Sequence, residues 1–204
     1  MILDWNEWRH GNPRLFSLIV LAKRHRTVVG ALLVVGVLIE HVMTRAAPVD
    51  LHRPSLRQAG GLMLIAIGLA IRLFALASIR KRRVLATSGA YSFCRHPLYL
   101  GTVAMALGLC VLLSDLKSFV LFAVYFALFY PLTILWEEFR LAERFGKRHE
   151  EYARTTPLFL PFGRFRPGTL LWPRAVRNGA LGLIGITALL LACIEVMAEV
   201  MSAH

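Results

Sequence analysis

Apolar positions in this chain do not alternate with polar ones; they run in blocks, and short charged stretches separate the blocks. Five blocks approach the roughly 20 apolar residues that a helix needs to cross a bilayer. They cover residues 27–43, 59–79, 98–113, 119–136 and 176–197. The third is the shortest and has little room to tilt. An earlier run, residues 15–22, is too short to span and ends in Lys23-Arg24-His25-Arg26, so it is expected as an interfacial helix lying on the membrane. Past residue 136 the pattern changes. Glu137, Glu138, Arg140, Leu141, Arg144, Phe145 and Arg148 keep helical spacing, so the fourth helix should continue beyond its apolar block and be interrupted near Gly146. Pro157, Pro161, Pro167 and Pro173 then exclude a continuous helix. That stretch is expected to run irregularly along the membrane surface, with Phe159, Phe162 and Phe165 dipping in. The fold class is therefore all-α: a polytopic membrane helical bundle of about five transmembrane helices. No internal repeat is visible, and the sequence specifies no oligomeric state.

Composition agrees and adds orientation. Of 204 residues 57% are hydrophobic, and the net charge is +12. In a soluble protein that charge would suggest nucleic acid. Here the basic residues flank apolar runs, where they set topology and meet anionic lipid headgroups, so no nucleic-acid partner is expected. If the five blocks span in turn, nineteen Lys and Arg fall on one side and four on the other, with Arg72 inside the second block. The positive-inside rule then places the N-terminus and both long polar segments in the cytoplasm and the C-terminus outside, as expected of an integral protein of a bacterial inner membrane. With Asp4 and Glu7 ahead of any apolar run, the start does not read as a cleavable signal. Three parts follow: an N-terminal cytoplasmic segment (1–26), a membrane core (27–175), and a C-terminal helix with its tail (176–204). Cys94, Cys110 and Cys193 form no CxxC pair and no Cys/His cluster, so neither a disulfide nor a metal is implied.

Two polar segments could carry chemistry. In the stretch from Thr87 to Gly101, a glycine, two tyrosines, Arg95 and His96 stand immediately before a span. Pro97 suits a first helical turn. The free N–H groups of that turn, beside Arg95 and His96, would attract a carboxylate or phosphate, and Gly101 would allow close approach of a ligand or a neighbouring helix. The same segment reads equally well as a basic anchor that fixes topology. The second segment sets Glu137 and Glu138 at the end of a span, a costly place for paired carboxylates unless they meet something cationic. Ion pairs to Arg140 or Arg144 are the plainer reading. One segment suits an anion and the other a cation, so a ligand carrying both charges would satisfy the two together. Arg72 should face the bundle interior, pairing with Glu137 or a lipid phosphate, or else snorkel to the interface.

The pattern SGAYSFCRHPLYLG, followed about 40 residues later by EEFRLAERFGKRHEEY, resembles the isoprenylcysteine carboxyl methyltransferase and phospholipid methyltransferase superfamily of integral membrane enzymes. The resemblance covers roughly residues 80–161. It implies S-adenosyl-L-methionine as cofactor, held by Tyr91, Arg95, His96, Pro97, Tyr99, Leu100, Gly101, Glu137 and Glu138. It also implies a membrane lipid or lipidated substrate as methyl acceptor, either a prenylcysteine-like carboxylate or a lipid amine headgroup. The family's usual Tyr-x-x-Tyr-x-x-Arg-Val-Pro is altered here: His149 replaces the first tyrosine, and Thr155 stands where the arginine is usual, with Arg154 one step earlier. His149, Tyr152, Arg154 and Arg72 are the candidates for positioning the acceptor or moving a proton. A small soluble acceptor, a transporter and a non-catalytic membrane scaffold are the competing readings. A transporter would need polar residues through the full membrane depth, and usually a repeat.

Overall fold

The computed structural model describes residues 11–44, 49, 51, 53–79 and 84–202. Its helices are α1 (Pro13–Met43), α2 (Leu56–Ser78), α3 (Pro97–Leu113), α4 (Leu116–Phe145), α5 (Lys147–Thr155), α6 (Trp172–Arg177) and α7 (Ala180–Ser202), with a short 3-10 turn at Gly89–Ser92. Among them α1, α2, α4 and α7 are long and apolar enough to cross a membrane, and α3 is a shorter apolar helix. Large apolar side chains point outward, Leu32, Ile186 and Leu189 each about two-thirds exposed (66%, 70% and 65%). An apolar exterior around internally bonded helices is what a bilayer requires, and the chain is a polytopic membrane bundle.

The helix starts follow from local chemistry. Ser55 and Gln58 form a reciprocal capping box on α2. Pro97 occupies the first turn of α3. The Asp115 carboxylate accepts from the Lys117 and Ser118 amides at the start of α4. Helices α3 and α4 are joined through Ser114 and Asp115 alone. Helix α4 continues past its apolar block to Phe145 and stops at Gly146, whose φ of +50° only glycine adopts easily.

Helices α2 and α3 pack most closely, antiparallel and backbone to backbone. A Cβ on Gly61 would meet the Gly108 carbonyl at 2.8 Å, and one on Gly68 the Gly101 carbonyl at 2.6 Å. Glycines one heptad apart on both helices thus make a seam of the small-residue kind by which helices associate in lipid. Helices α1 and α4 also run antiparallel. Phe16 meets Phe139 edge-on at one end, and Lys117 pairs with Glu40 at the other, 3.0 Å apart. At about 45 Å each, both exceed the roughly 30 Å apolar core of a bilayer. They project together at the end where α3 begins and α5 docks.

Two expectations are corrected, and the irregular course after Thr156 is borne out as far as Leu171. Residues 15–22 are not a separate interfacial helix; they form the first turns of α1, which runs unbroken through Lys23–Arg26 because residues 14–29 hold neither proline nor glycine. The last long helix starts at Ala180 rather than residue 176, after the break at Asn178-Gly179, where the Asn178 side-chain amide donates to the Leu76 and Ile79 carbonyls. The proline-rich stretch straps the protein itself. Its Arg166 carbonyl accepts from Gly89 N–H (2.9 Å) and Gly163 N–H donates to the Phe93 carbonyl (2.8 Å). Phe165 stacks on Phe93, and Phe159 packs against the Tyr99 and Tyr130 cluster.

Candidate functional site

The two polar segments meet where α3 begins and α4 ends, and they neutralise each other. Glu138 is buried and takes three basic partners: Arg95, which donates to Oε2; His96, whose Nε2 lies 2.8 Å from Oε1; and His149, whose Nε2 is 3.4 Å from Oε2. Its partners are therefore these three, rather than Arg140 or Arg144. Glu137 accepts the Tyr99 hydroxyl and has His96 Nδ1 at 3.6 Å. His96, stacked on Tyr99, thus touches both carboxylates. Burial pulls its pKa down, but the hydrogen bonds and charges of Glu137 and Glu138 outweigh that and leave it above the ordinary histidine range.

Helix α5 closes the arrangement from below. The Tyr152 hydroxyl donates to the Tyr91 carbonyl at 2.6 Å, and the Arg95 amide donates to the Pro157 carbonyl at 2.9 Å. Burial raises the Tyr91 and Tyr152 phenols well above the usual tyrosine range, so both keep their protons at neutral pH. Burial likewise pushes the Cys94 thiol up to about 11.

Above this cluster lies a cavity of about 1060 Å³. Glu137, Tyr91, Arg95, His96, Tyr99 and Tyr152 line its polar end together with Arg140, Arg144 and Trp136; farther along, Arg72, Thr102, Tyr130 and Arg26 form its wall. The cavity continues along α3 as far as Leu109, about 20 Å from His96.

The predicted site residues divide accordingly. Tyr91, Arg95, His96, Tyr99, Glu137, Tyr152 and Arg72 border the cavity. Glu138 and His149 stand behind it as a clamp. Pro97 and Leu100 lie off the wall, and Gly101 faces Gly68 and Arg72 across the seam. Arg154 points away, exposed and paired with Glu150 at 2.5 Å. Arg72 does not reach Glu137; its Nη1 donates to Thr102 Oγ1 at 2.7 Å. Sequence reasoning missed Arg26, Thr102, Tyr125 and Tyr130. Arg26 looked like one more anchor in a basic run, and the hydroxyls sat within apolar blocks, where only their polarity could have marked them.

Comparison with known proteins places the same segment. Residues 62–143 match the isoprenylcysteine carboxyl methyltransferase (ICMT) family. The chain is 42% identical over 93 residues to the cobalt-zinc-cadmium resistance protein CzcN of Cupriavidus metallidurans (46% of this chain, 43% of the relative). It is 33% identical over 114 residues to a probable protein-S-isoprenylcysteine O-methyltransferase of Oryza sativa subsp. indica (50% and 60%). To the protein-S-isoprenylcysteine O-methyltransferase of Schizosaccharomyces pombe it is 36% identical over 81 residues (40% and 34%). These matches span between 34% and 60% of the relatives' own lengths. No solved structure matches. The matched segment holds most of the α2–α3 seam, the turn carrying Arg95 and His96, and α4 as far as Glu143, and over that core the chain is similar to the isoprenylcysteine carboxyl methyltransferase family.

Proposed function

We propose that this chain is an S-adenosylmethionine-dependent integral membrane methyltransferase, acting on a lipophilic acceptor at the cytoplasmic face of a bacterial inner membrane. The observation that carries the reading is the division of labour between two adjacent carboxylates. Glu138 is satisfied inside the protein by Arg95, His96 and His149, whereas Glu137 borders the cavity. The donor set fits the cofactor. Glu137 suits its ammonium or sulfonium, the guanidiniums of Arg140 and Arg144 at the same end suit its carboxylate, and Trp136 and Tyr91 offer apolar faces. When bound, the cofactor supplies an activated methyl group.

What the chain adds is binding, orientation and exclusion of water. Tyr99 and His96 fix the Glu137 carboxylate, and the Glu138 clamp fixes His96 in turn. His149 and Tyr152 act on this reading as positioning residues, since Tyr152 stays protonated and donates to a backbone carbonyl. Arg154 lies too far from the cavity wall to hold an acceptor. Orientation rests on the charge asymmetry, because the polar end of the cavity is on the side carrying most of the Lys and Arg.

Calorimetric titration of S-adenosylmethionine into nanodisc-held protein tests this. Glu137→Gln should weaken binding by about tenfold or more and lower the unfolding temperature less than Glu138→Gln does. Glu138→Gln should lower the unfolding temperature further, because Arg95 and His96 lose their counter-charge. A well-folded wild type that binds no cofactor would sink the proposal. Incubating a lipid extract with methyl-labelled cofactor then identifies the acceptor.

A further inference from the structure

A second cavity, of about 220 Å³, shares the wall of residues 84–86 with the first and lies between Ser78, the last residue of α2, and α6. Among the described residues its polar lining is Ser78, Thr87, Ser88, Thr169 and Arg174, and no acidic side chain stands in the wall. Arg174 donates through Nη1 to the Thr169 carbonyl at 3.2 Å and has no carboxylate ion-pair partner among the described residues. Ser78 is occupied, its hydroxyl donating to the Phe74 carbonyl at 2.8 Å. The hydroxyls of Thr87, Ser88 and Thr169 donate to no protein acceptor among the described residues.

The proline-rich strap brings these groups together. A Cβ on Gly168 would meet Ser88 Oγ at 2.8 Å and the Gly89 nitrogen at 3.0 Å, so the strap backbone passes directly against Ser88. Just beyond, Leu170, Leu171 and Trp172 are exposed, and α6 packs through Ala175 on Leu76 and Ala77 at the end of α2. An exposed tryptophan with apolar neighbours belongs where lipid tails meet headgroups. A guanidinium with free hydroxyls around it, and no carboxylate, is a donor set for phosphate oxygens. At the roughly 30 Å³ that liquid water takes per molecule, the space holds a phosphate and a few waters. We propose that this cavity is a phosphate subsite. Arg174, Thr87, Ser88 and Thr169 hold the phosphate of a membrane lipid headgroup or of a soluble ester, and so pin the strap against the turn that leads to Tyr91 and Arg95. Thr169 and Arg174 lie beyond the family-matched segment, and the subsite does not depend on the methyltransferase reading.

Phosphatidylcholine nanodiscs with increasing phosphatidylglycerol test the lipid source, the lipid kept on the protein being read by native mass spectrometry. The wild type should retain phosphatidylglycerol in preference to phosphatidylcholine, whose choline meets no carboxylate in the cavity wall. Arg174→Gln should raise the phosphatidylglycerol fraction needed for half-occupancy by about tenfold. Ser88→Ala, which leaves the charge unchanged, should raise it by about fivefold, and decides the matter if Arg174→Gln fails to fold. Arg177→Gln removes the same charge from α6 outside the cavity and should change nothing. In a second arm, inorganic phosphate is added to the protein in pure phosphatidylcholine nanodiscs. Phosphate that raises the unfolding temperature of the wild type but not of Ser88→Ala, with no phosphatidylglycerol preference, assigns the subsite to a soluble phosphate. Arg177→Gln weakening retention as much as Arg174→Gln would reduce the effect to surface charge and overturn the subsite. A Ser88→Ala variant with undiminished response, or a wild type that responds to neither probe, would overturn it too.

Discussion

Helices α2 and α3 touch through their backbones, whereas α1 and α4 touch through large side chains. In the first pair four glycines let carbonyls approach where a methyl group has no room. In the second, Phe16 meets Phe139, Lys23 lies 3.9 Å over the Trp136 ring, and the Tyr125 hydroxyl donates to the Arg26 carbonyl at 2.8 Å. Bulky props hold helices apart, and the space they leave is the cavity. The seam is the frame of the molecule, and α1 with α4 makes its working wall. In lipid, where apolar burial gives no preference for one helix over another, residue size decides which pair closes and which stays open.

The sharpest way to break the contrast is Gly68→Leu. The new side chain meets the Gly101 carbonyl and the Met105 backbone nitrogen, neither of which can yield, and should cost about 3 kcal/mol, read as a lower unfolding temperature in detergent. On the wall, Tyr125→Phe removes a single hydrogen bond from α1. About 1 kcal/mol should be lost, with faster hydrogen exchange confined to α1 and the seam unaffected. Equal losses from the two substitutions would erase the distinction between frame and wall. The smallest effect concerns the joint between them. His96 has its pKa raised mainly by Glu137 and Glu138, against the pull of burial, with Arg95 beside Glu138. Its stabilisation is complete below the ordinary histidine range and is lost as pH rises through the raised value. The unfolding temperature should fall gradually over that window, and the fall should vanish in His96→Asn.

The bundle was legible because the bilayer forces apolar residues into contiguous runs, so the cores of the long helices could be located from hydropathy alone. The unity of α1 was not. Lys23–Arg26 marked a change of surroundings, but only proline or glycine would have marked a break in the backbone. Within the site, Arg95, His96, Tyr99, Glu137 and Glu138 were all visible as two linked motifs. Which carboxylate faces the cavity was not, since neighbours on a helix point about 100° apart and only the docking of α3 and α5 selects one. Charge complementarity read along the chain suggested a ligand between the segments; in space, most of that complementarity is spent within the protein. Arg26 was hidden for the opposite reason, because a basic residue beside a span is too common to stand out.

The hydrogen bond between Tyr125 and Arg26 joins residues 99 positions apart. The seam, by contrast, closes between consecutive long helices. A ribosome delivers α1 first, yet the helix that receives it is made only after the frame. Until α4 is made, α1 therefore lacks the wall it faces, and the Arg26 carbonyl lacks the Tyr125 hydroxyl. The cavity is the last thing this molecule acquires, and a chain stalled before α4 would insert with its frame intact and no pocket to fill.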